Sequence, residues 1–180
     1  MVSQIAERYG QALFDLALEM DSLELWQTQT KELLEVFSDS TELDRFFNAV
    51  KISTEEKRNL IRTVFEGKIE KMLLNFLELL IDKKRIGNVK EILQHFIMLA
   101  NEERGIENGV VVSSRKLSKD EIIQIEEAMS LKRKQKVELV NKVDRKLISG
   151  VKVIIKNEVI DGSMKSKIET LKNELLKESR

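Results

Sequence analysis

Apolar residues recur every three or four positions across residues 3–103, a spacing that predicts helix throughout that stretch. Ile5, Tyr9, Ala12, Leu13, Leu16 and Met20 form one apolar face of a first helix. At about 100° per residue, Gly10, Phe14 and Leu18 make a second stripe on its far side. An ordinary surface helix carries one stripe. Two imply that the helix lies centrally, or that it packs on its own domain with one face and receives a partner with the other. A second helix is predicted over residues 22–37, carrying Leu25, Trp26, Leu33, Leu34 and Phe37, and a short third around 42–50. Ser53-Thr54-Glu55-Glu56 fits a capping box, with Ser53 as N-cap and Glu56 reaching back, and opens a fourth helix through Phe65. Residues 72–81 are apolar almost all round, interrupted by Asn75 and Glu78. That run is shorter than the roughly 20 residues a bilayer requires, so it predicts a central bundle helix or part of a docking groove. Residues 88–103 complete six helices with Val89, Ile92, Leu93, Phe96, Ile97 and Leu99, and short connections make them an α-helical bundle.

The periodicity changes at Gly105, a natural helix C-cap. Val110-Val111-Val112 is a short β-branched run. Ser118-Lys119-Asp120-Glu121 is a second capping box, starting a helix through about Leu131 with Ile122, Ile125 and Met129 on one face. Val137, Leu139 and Val143 alternate with polar residues as in a half-buried strand, and residues 151–155 read as its partner strand. Asn157-Glu158 reads as a turn before a brief Val159-Ile160. A last helix would place Met164, Ile168, Leu171 and Leu175 on one face. The expected fold class is therefore α+β: an N-terminal six-helix bundle, residues 1–104, followed by a small C-terminal α+β domain, residues 105–180.

Charge sharpens this division. Lys+Arg and Asp+Glu number 31 each. Residues 1–104 nevertheless hold 14 basic and 19 acidic side chains, and the remainder 17 and 12. Halves of opposite sign suggest domains that face different partners. A net charge of zero is poor for binding nucleic acid, whose affinity comes mostly from neutralised phosphates. The chain contains no Cys, which excludes disulfide and thiolate chemistry. Glu7, Arg8 and Asp15 interrupt the apolar residues of the N-terminus, unlike a signal peptide.

Candidate chemistry is sparse, and no catalytic, cofactor-binding or metal-binding set is expected. His95 is the only histidine; Glu91 one turn before it makes two ligands without a third, so a partly exposed helical His explains it better. Asp161-Gly162-Ser163 lacks a base or a glycine-rich run with a Lys behind it, and reads as a turn and a helix cap. Ser149-Gly150 reads as a bend at a strand's start. The basic run 132–136 reads as a solvated loop or a contact for an acidic partner. RNA binding is less favoured because no Phe, Trp or Tyr follows Gly105 to stack on bases. Trp26 and the Phe residues are expected in the core, whereas the Tyr9 hydroxyl requires water or a partner.

Three stretches carry a family resemblance. They are Glu7-Arg8-Tyr9-Gly10-Gln11-Ala12-Leu13-Phe14-Asp15-Leu16-Ala17, then Asn75-Phe76-Leu77-Glu78-Leu79-Leu80-Ile81-Asp82-Lys83-Lys84-Arg85-Ile86, and VDRKLISGVKVIIKNEVIDGS over residues 143–163. In this order and spacing they resemble the delta subunits of F-type ATP synthases, the family of the mitochondrial oligomycin-sensitivity-conferring protein. Ser149 stands where that family usually has Gly, Arg145 where Pro is common, and Gly109 and Ser114 where Ala is common.

The resemblance implies a non-catalytic stator component of a complex engaged in proton-driven ATP synthesis. It implies that the helical domain receives the N-terminal helix of an alpha subunit in a groove between its first and fifth helices. Tyr9, Ala12, Leu13, Phe76, Leu79 and Leu80 are the candidate anchors. The C-terminal domain would grip the distal end of the peripheral-stalk b subunits, through the last helix and the basic run. No cofactor and no nucleic acid are implied. One copy per complex is expected, at the cytoplasmic face of a bacterial plasma membrane and held there by its partners. The alternative from residues alone is a soluble helical RNA- or ribosome-associated factor using residues 132–136.

Overall fold

The computed structural model describes residues 3–147, 149–164, 166 and 168. Among them it shows seven α-helices and a four-stranded sheet, an α+β protein. The chain divides into two compact units, Met1–Ala100 and Asn101–Arg180, so the division falls a few residues ahead of Gly105.

The first unit is helical. α1 (Gln4–Glu19), α2 (Leu23–Asp39), α3 (Thr41–Asn48), α4 (Thr54–Phe65) and α5 (Lys71–Asp82) are followed by a 3-10 turn, Ile86–Asn88, and α6 (Val89–Glu103). Serine hydroxyls start three of them, since the first amides of a helix have no partner within it. Ser3 accepts from the Ala6 amide, Ser40 from Leu43 and Ser53 from Glu56, the last completed by the Glu56 carboxylate on the Ser53 amide at 2.8 Å. Ser22, expected at the start of the second helix, makes no such bond. Three helices end alike, with two amides folding back on the last carbonyls. Asp21 bonds Leu18 and Ser22 bonds Ala17; Lys84 bonds Ile81 and Arg85 bonds Leu80; Gly105 bonds Glu102 and Ile106 bonds Asn101. This is the Schellman arrangement. Two of the three turning positions, Asp21 and Lys84, are not glycine, so the chain's few glycines mark its helix ends incompletely.

The core of this unit gathers side chains from every helix. Trp26, Leu33, Phe37, Ile61, Leu73, Leu77, Leu80, Ile92, Leu93 and Phe96 are all at most 2% exposed. Phe37 sits between Phe47 and Phe65, with ring centroids 5.8 Å and 6.2 Å away.

The second unit is built round β1 (Glu107–Ser113). After α7 (Lys119–Arg133), β2 (Val137–Val143) lies parallel to β1; β3 (Val151–Ile155) lies antiparallel on β1's other side and β4 (Glu158–Asp161) closes the sheet. The order is β2-β1-β3-β4. β3 therefore partners β1 rather than β2, against the sequence expectation. Val143 and Val151 flank Ser113 from opposite sides, about two strand spacings, roughly 10 Å, apart. A run of seven residues suits that separation, where a tight hairpin would need two. The turn into β4 is Lys156-Asn157, one residue earlier than expected, with Ile155 paired to Glu158. One sheet face carries Val111, Val137, Leu139, Val153 and Ile155, covered by Ile122, Ile125 and Met129 of α7. Of the expected last helix, Met164, Ser166 and Ile168 are helical, while Leu171 and Leu175 lie outside the described residues.

The segment 143–163 is a self-locking frame. The Asp144 carboxylate accepts the Lys146 amide at 2.9 Å, and the Asp161 carboxylate accepts the Ser163 amide at 2.9 Å. The Gly162 amide bonds the Val151 carbonyl and the Met164 amide the Ser149 carbonyl. Gly150 sits at φ +85°, and a Cβ there would lie 2.5 Å from the Gly162 carbonyl oxygen. Ser163, 3% exposed, accepts the Ser166 amide at 3.3 Å as a helix cap. Replacing Gly150 with Ala adds left-handed strain of about 1–2 kcal/mol and a backbone clash that no side-chain rotation relieves. G150A is expected to lose at least about 2 kcal/mol in the denaturant transition followed by circular dichroism. The transition followed by Trp26 fluorescence, which reports only the helical unit, should stay unchanged.

Candidate partner-binding surfaces

α1 buries a face that neither of its two apolar stripes predicts alone. Ala6, Gly10, Leu13, Phe14 and Ala17 turn inward, so the buried line runs between the stripes and takes Leu13 from one and Gly10 and Phe14 from the other. The reason is a close approach to α6. A Cβ on Gly10 would lie 2.8 Å from His95 Cδ2 and 3.2 Å from the Ile92 carbonyl oxygen, so only a glycine lets the two helices pack at this distance. What remains of the first stripe borders this line: Ile5, Tyr9 and Leu16 are half-buried against the core, and Ala12 is exposed. Leu18 and Met20 are exposed.

α5 buries Leu73, Leu74, Phe76, Leu77, Leu80 and Ile81. Glu78 and Asp82, one turn apart, lie on a polar side fastened to α4. Arg62 donates to both oxygens of Glu78 at 2.6 Å and 2.9 Å, and Arg58 Nε donates to Asp82 at 2.9 Å. The Arg62 guanidinium holds the Glu78 carboxyl below its ordinary pKa. Leu79, next in sequence to Glu78, is 41% exposed, and Met72 is half-buried.

The six sequence candidates thus fall into two groups. Leu13, Phe76 and Leu80 belong to the one buried core cluster, at 1%, 9% and 0% exposure. Tyr9, Ala12 and Leu79 present atoms to solvent. Ile5, Leu16 and Met72 share the same sides of their helices; the helical spacing that put Ile5 and Leu16 in the first stripe was the available signal for two of them. His95 is half-buried, and its Nδ1 has no hydrogen-bond partner among the described residues. Glu91 is engaged instead by the Ser3 hydroxyl at 2.6 Å, and no cluster of three potential metal ligands occurs among the described residues.

In the second unit the basic run is not a plain solvated loop. Lys132 and Arg133 end α7, and Arg133 turns inward to Glu107 and Glu158. Glu107 is 6% exposed and also takes Lys156 Nζ at 2.8 Å. Bonds from Arg133 and then Lys156 pull the Glu107 carboxyl down to about 2. Glu121 is likewise drawn to about 2, first by Arg115 and then by the Ser118 amide of its capping box. A carboxylate with a lowered folded-state pKa contributes stability above its ordinary value of 4.5, and that stability is lost as pH falls toward about 2. Denaturation of the C-terminal unit should therefore become easier from about pH 5 downward. Glu107→Gln should be less stable than the parent at pH 7 and show a shallower loss on acidification, read by urea midpoints over that range.

The architecture is a helical unit followed by an α+β unit, each with apolar residues left on its surface. A family model, ATP synthase delta (OSCP) subunit, matches residues 5–175. The ATP synthase subunit delta of Bacillus thuringiensis (strain Al Hakam) is 36% identical over 174 residues, covering 96% of both chains, and that of Bacillus mycoides (strain KBAB4) is 37% identical with the same coverage. A chain in the cryo-EM structure of the Toxoplasma gondii mitochondrial ATP synthase hexamer shares the fold, with a TM-score of 0.69 over 97% of this chain and 98% of that one, at 20% identity. The chain belongs to the ATP synthase delta (OSCP) subunit family. It is a structural, non-catalytic component of the stator side of that complex. The matches give the RNA- or ribosome-associated alternative no support. No helix among the described residues is long and apolar enough to cross a membrane.

Proposed function

We propose that this chain fastens the catalytic head of an ATP synthase to its peripheral stalk, so that the head resists rotor torque. On this reading α1 to α6 act as one six-helix bundle over residues 1–104 and receive the N-terminal helix of an alpha subunit. Residues 105–180 contact the b subunits of the stalk. One copy serves each complex at the cytoplasmic face of a bacterial plasma membrane, held there by its partners alone.

What supports the head-side contact is the set of apolar side chains left within reach of solvent on α1 and α5, Tyr9, Ala12 and Leu79, on helices whose Leu13, Phe76 and Leu80 are buried in the core. Helix-in-groove recognition requires apolar anchors at helical spacing over a firm base. The core fixes the rotation of α5, and the Arg62–Glu78 and Arg58–Asp82 pairs lie on its polar side against α4.

The test is titration of the full chain with a synthetic peptide of the alpha-subunit N-terminus. Binding should depend only modestly on salt. Leu79→Asp should cost about 2 kcal/mol, roughly thirtyfold in Kd, with an unchanged helical signal. Leu80→Asp should instead unfold the helical unit. Unchanged affinity in a folded L79D chain would remove Leu79 from the groove.

A further inference from the structure

Of the nine asparagines in the chain, only Asn108 is followed by glycine. That step is chemically labile, because glycine leaves the next amide unhindered and its backbone free to fold back. The Gly109 amide nitrogen can then attack the side-chain carbonyl carbon of Asn108. The new C–N bond closes a five-membered succinimide. The side-chain nitrogen leaves as ammonia, carrying the proton that the attacking amide gives up. One water then opens the ring at either carbonyl, leaving an aspartyl or an isoaspartyl link. Water is the only co-reactant.

The fold places this step where it is held shut. Asn108 and Gly109 lie in β1, the central strand, and Gly109 pairs with Leu139 of β2 on one side and Ile155 of β3 on the other. Ring closure draws the Gly109 nitrogen onto the Asn108 side chain. Extended backbone, with ψ about +115° to +135°, keeps the two apart. Leu139 and Ile155 also close over the glycine, since a Cβ there would lie 2.6 Å from Leu139 Cδ2 and 2.8 Å from Ile155 Cγ1. The Asn108 side chain is held as well. Its Oδ1 accepts from Asn101 Nδ2 at 2.8 Å, and the same nitrogen donates to Glu138 Oε2 at 3.0 Å. Asn101 is 1% exposed, and its amide carries two hydrogens, one for each acceptor.

The product would not fit the site that protects the reactant. Glu138 is the residue paired with Asn108 in β2. A carboxylate at position 108 would stand beside that of Glu138 with a single Asn101 amide between them, and like charges so placed repel. An isoaspartyl link adds one carbon to the main chain inside β1. The pairings from Gly109 to Ser113 would then slip against both neighbouring strands.

We propose that Asn108–Gly109 is a self-modification site gated by opening of the C-terminal unit. The closed sheet preserves the amide, and each opening exposes it to one-way loss. The rate in the folded chain is then the open-chain rate multiplied by the fraction open. Anything that binds the closed unit lowers that fraction and lengthens the chain's chemical lifetime in proportion. The proposal stands whichever partner the unit holds.

The test incubates the full chain at mildly alkaline pH, in native buffer and in guanidinium chloride above the unfolding transition, with peptide mapping by mass spectrometry. In denaturant, Asn108 should deamidate at least about tenfold faster than any other asparagine, and G109A should remove that advantage. In native buffer the loss at Asn108 should be at least about a hundredfold slower than in denaturant. The Asp161–Gly162 step can form the same ring but changes no mass, so it does not interfere. After return to native buffer, a brief protease pulse should cut chains that are isoaspartyl at position 108 and spare those that keep Asn108.

A native rate within a few fold of the denatured rate would overturn the gate. Faster loss at another asparagine in denaturant would overturn the site. An isoaspartyl form as protease-resistant as the parent would overturn the one-way loss.

Discussion

Burial of one face of α5 is the constraint on which the helical unit depends. Six of its twelve residues are inside, spanning about 160° of the helix circumference at about 100° per residue. Each large apolar side chain placed there contributes about 1.5–3 kcal/mol. The two ion pairs to α4 involve side chains that are 17–47% exposed, and pairs so open to solvent are screened and contribute little. The core therefore sets the rotation of α5, and the arginines follow it. Leu79 is exposed because six stronger claims on the interior have been met first. The surface proposed for the alpha-subunit helix is a residue of packing and needs no separate device to create it.

The C-terminal unit is organised differently. Among the described residues its apolar cluster has five buried members with six packed round them, and Glu107 is a buried carboxylate of the same sheet. Glu107 begins the central strand and draws together Arg133 at the end of α7, Lys156 in the hairpin turn and, through Arg133, Glu158 of β4. A buried charge is tolerated when every oxygen is paired, and removing one partner is expensive. This network ties three elements to the start of β1. That commitment explains why the run 132–136 is a weaker candidate for an acidic partner than its composition implies.

Much of this was legible in the chain. The helical stretches, both capping boxes and the class change near Gly105 follow from local rules about period and helix ends, and local rules are satisfied by local sequence. Sheet topology was not legible. Val137, Leu139 and Val153 announce strands by alternation, but which strand lies between which depends on β1 being central, a long-range pairing no period encodes. The same limit applied at the candidate site. Spacing placed Tyr9, Ala12 and Leu13 on one stripe, and only the approach of Gly10 to Ile92 and His95 shows that the helix is rotated to bury Leu13 and leave Ala12 outside. Leu79 and Leu80 are adjacent and chemically identical, and the difference between them is entirely tertiary.

The opposite charges of the two stretches bear on how an adaptor holds. Residues 1–104 carry an excess of five acidic groups and residues 105–180 an excess of five basic ones. Such fields steer encounter with complementary partners and discourage exchanged ones more than they add affinity. Durable attachment has to come from apolar surface, and the apolar side chains left exposed on each unit are few. Two such contacts on one chain reinforce each other when both partners belong to one complex. Release at one end leaves the other engaged, at an effective concentration far above that of free protein. A stator link of this kind needs neither a deep pocket nor an exceptional affinity at either end. It needs two contacts on rigid supports, and on the proposed reading the buried face of α5 supplies the support for one of them.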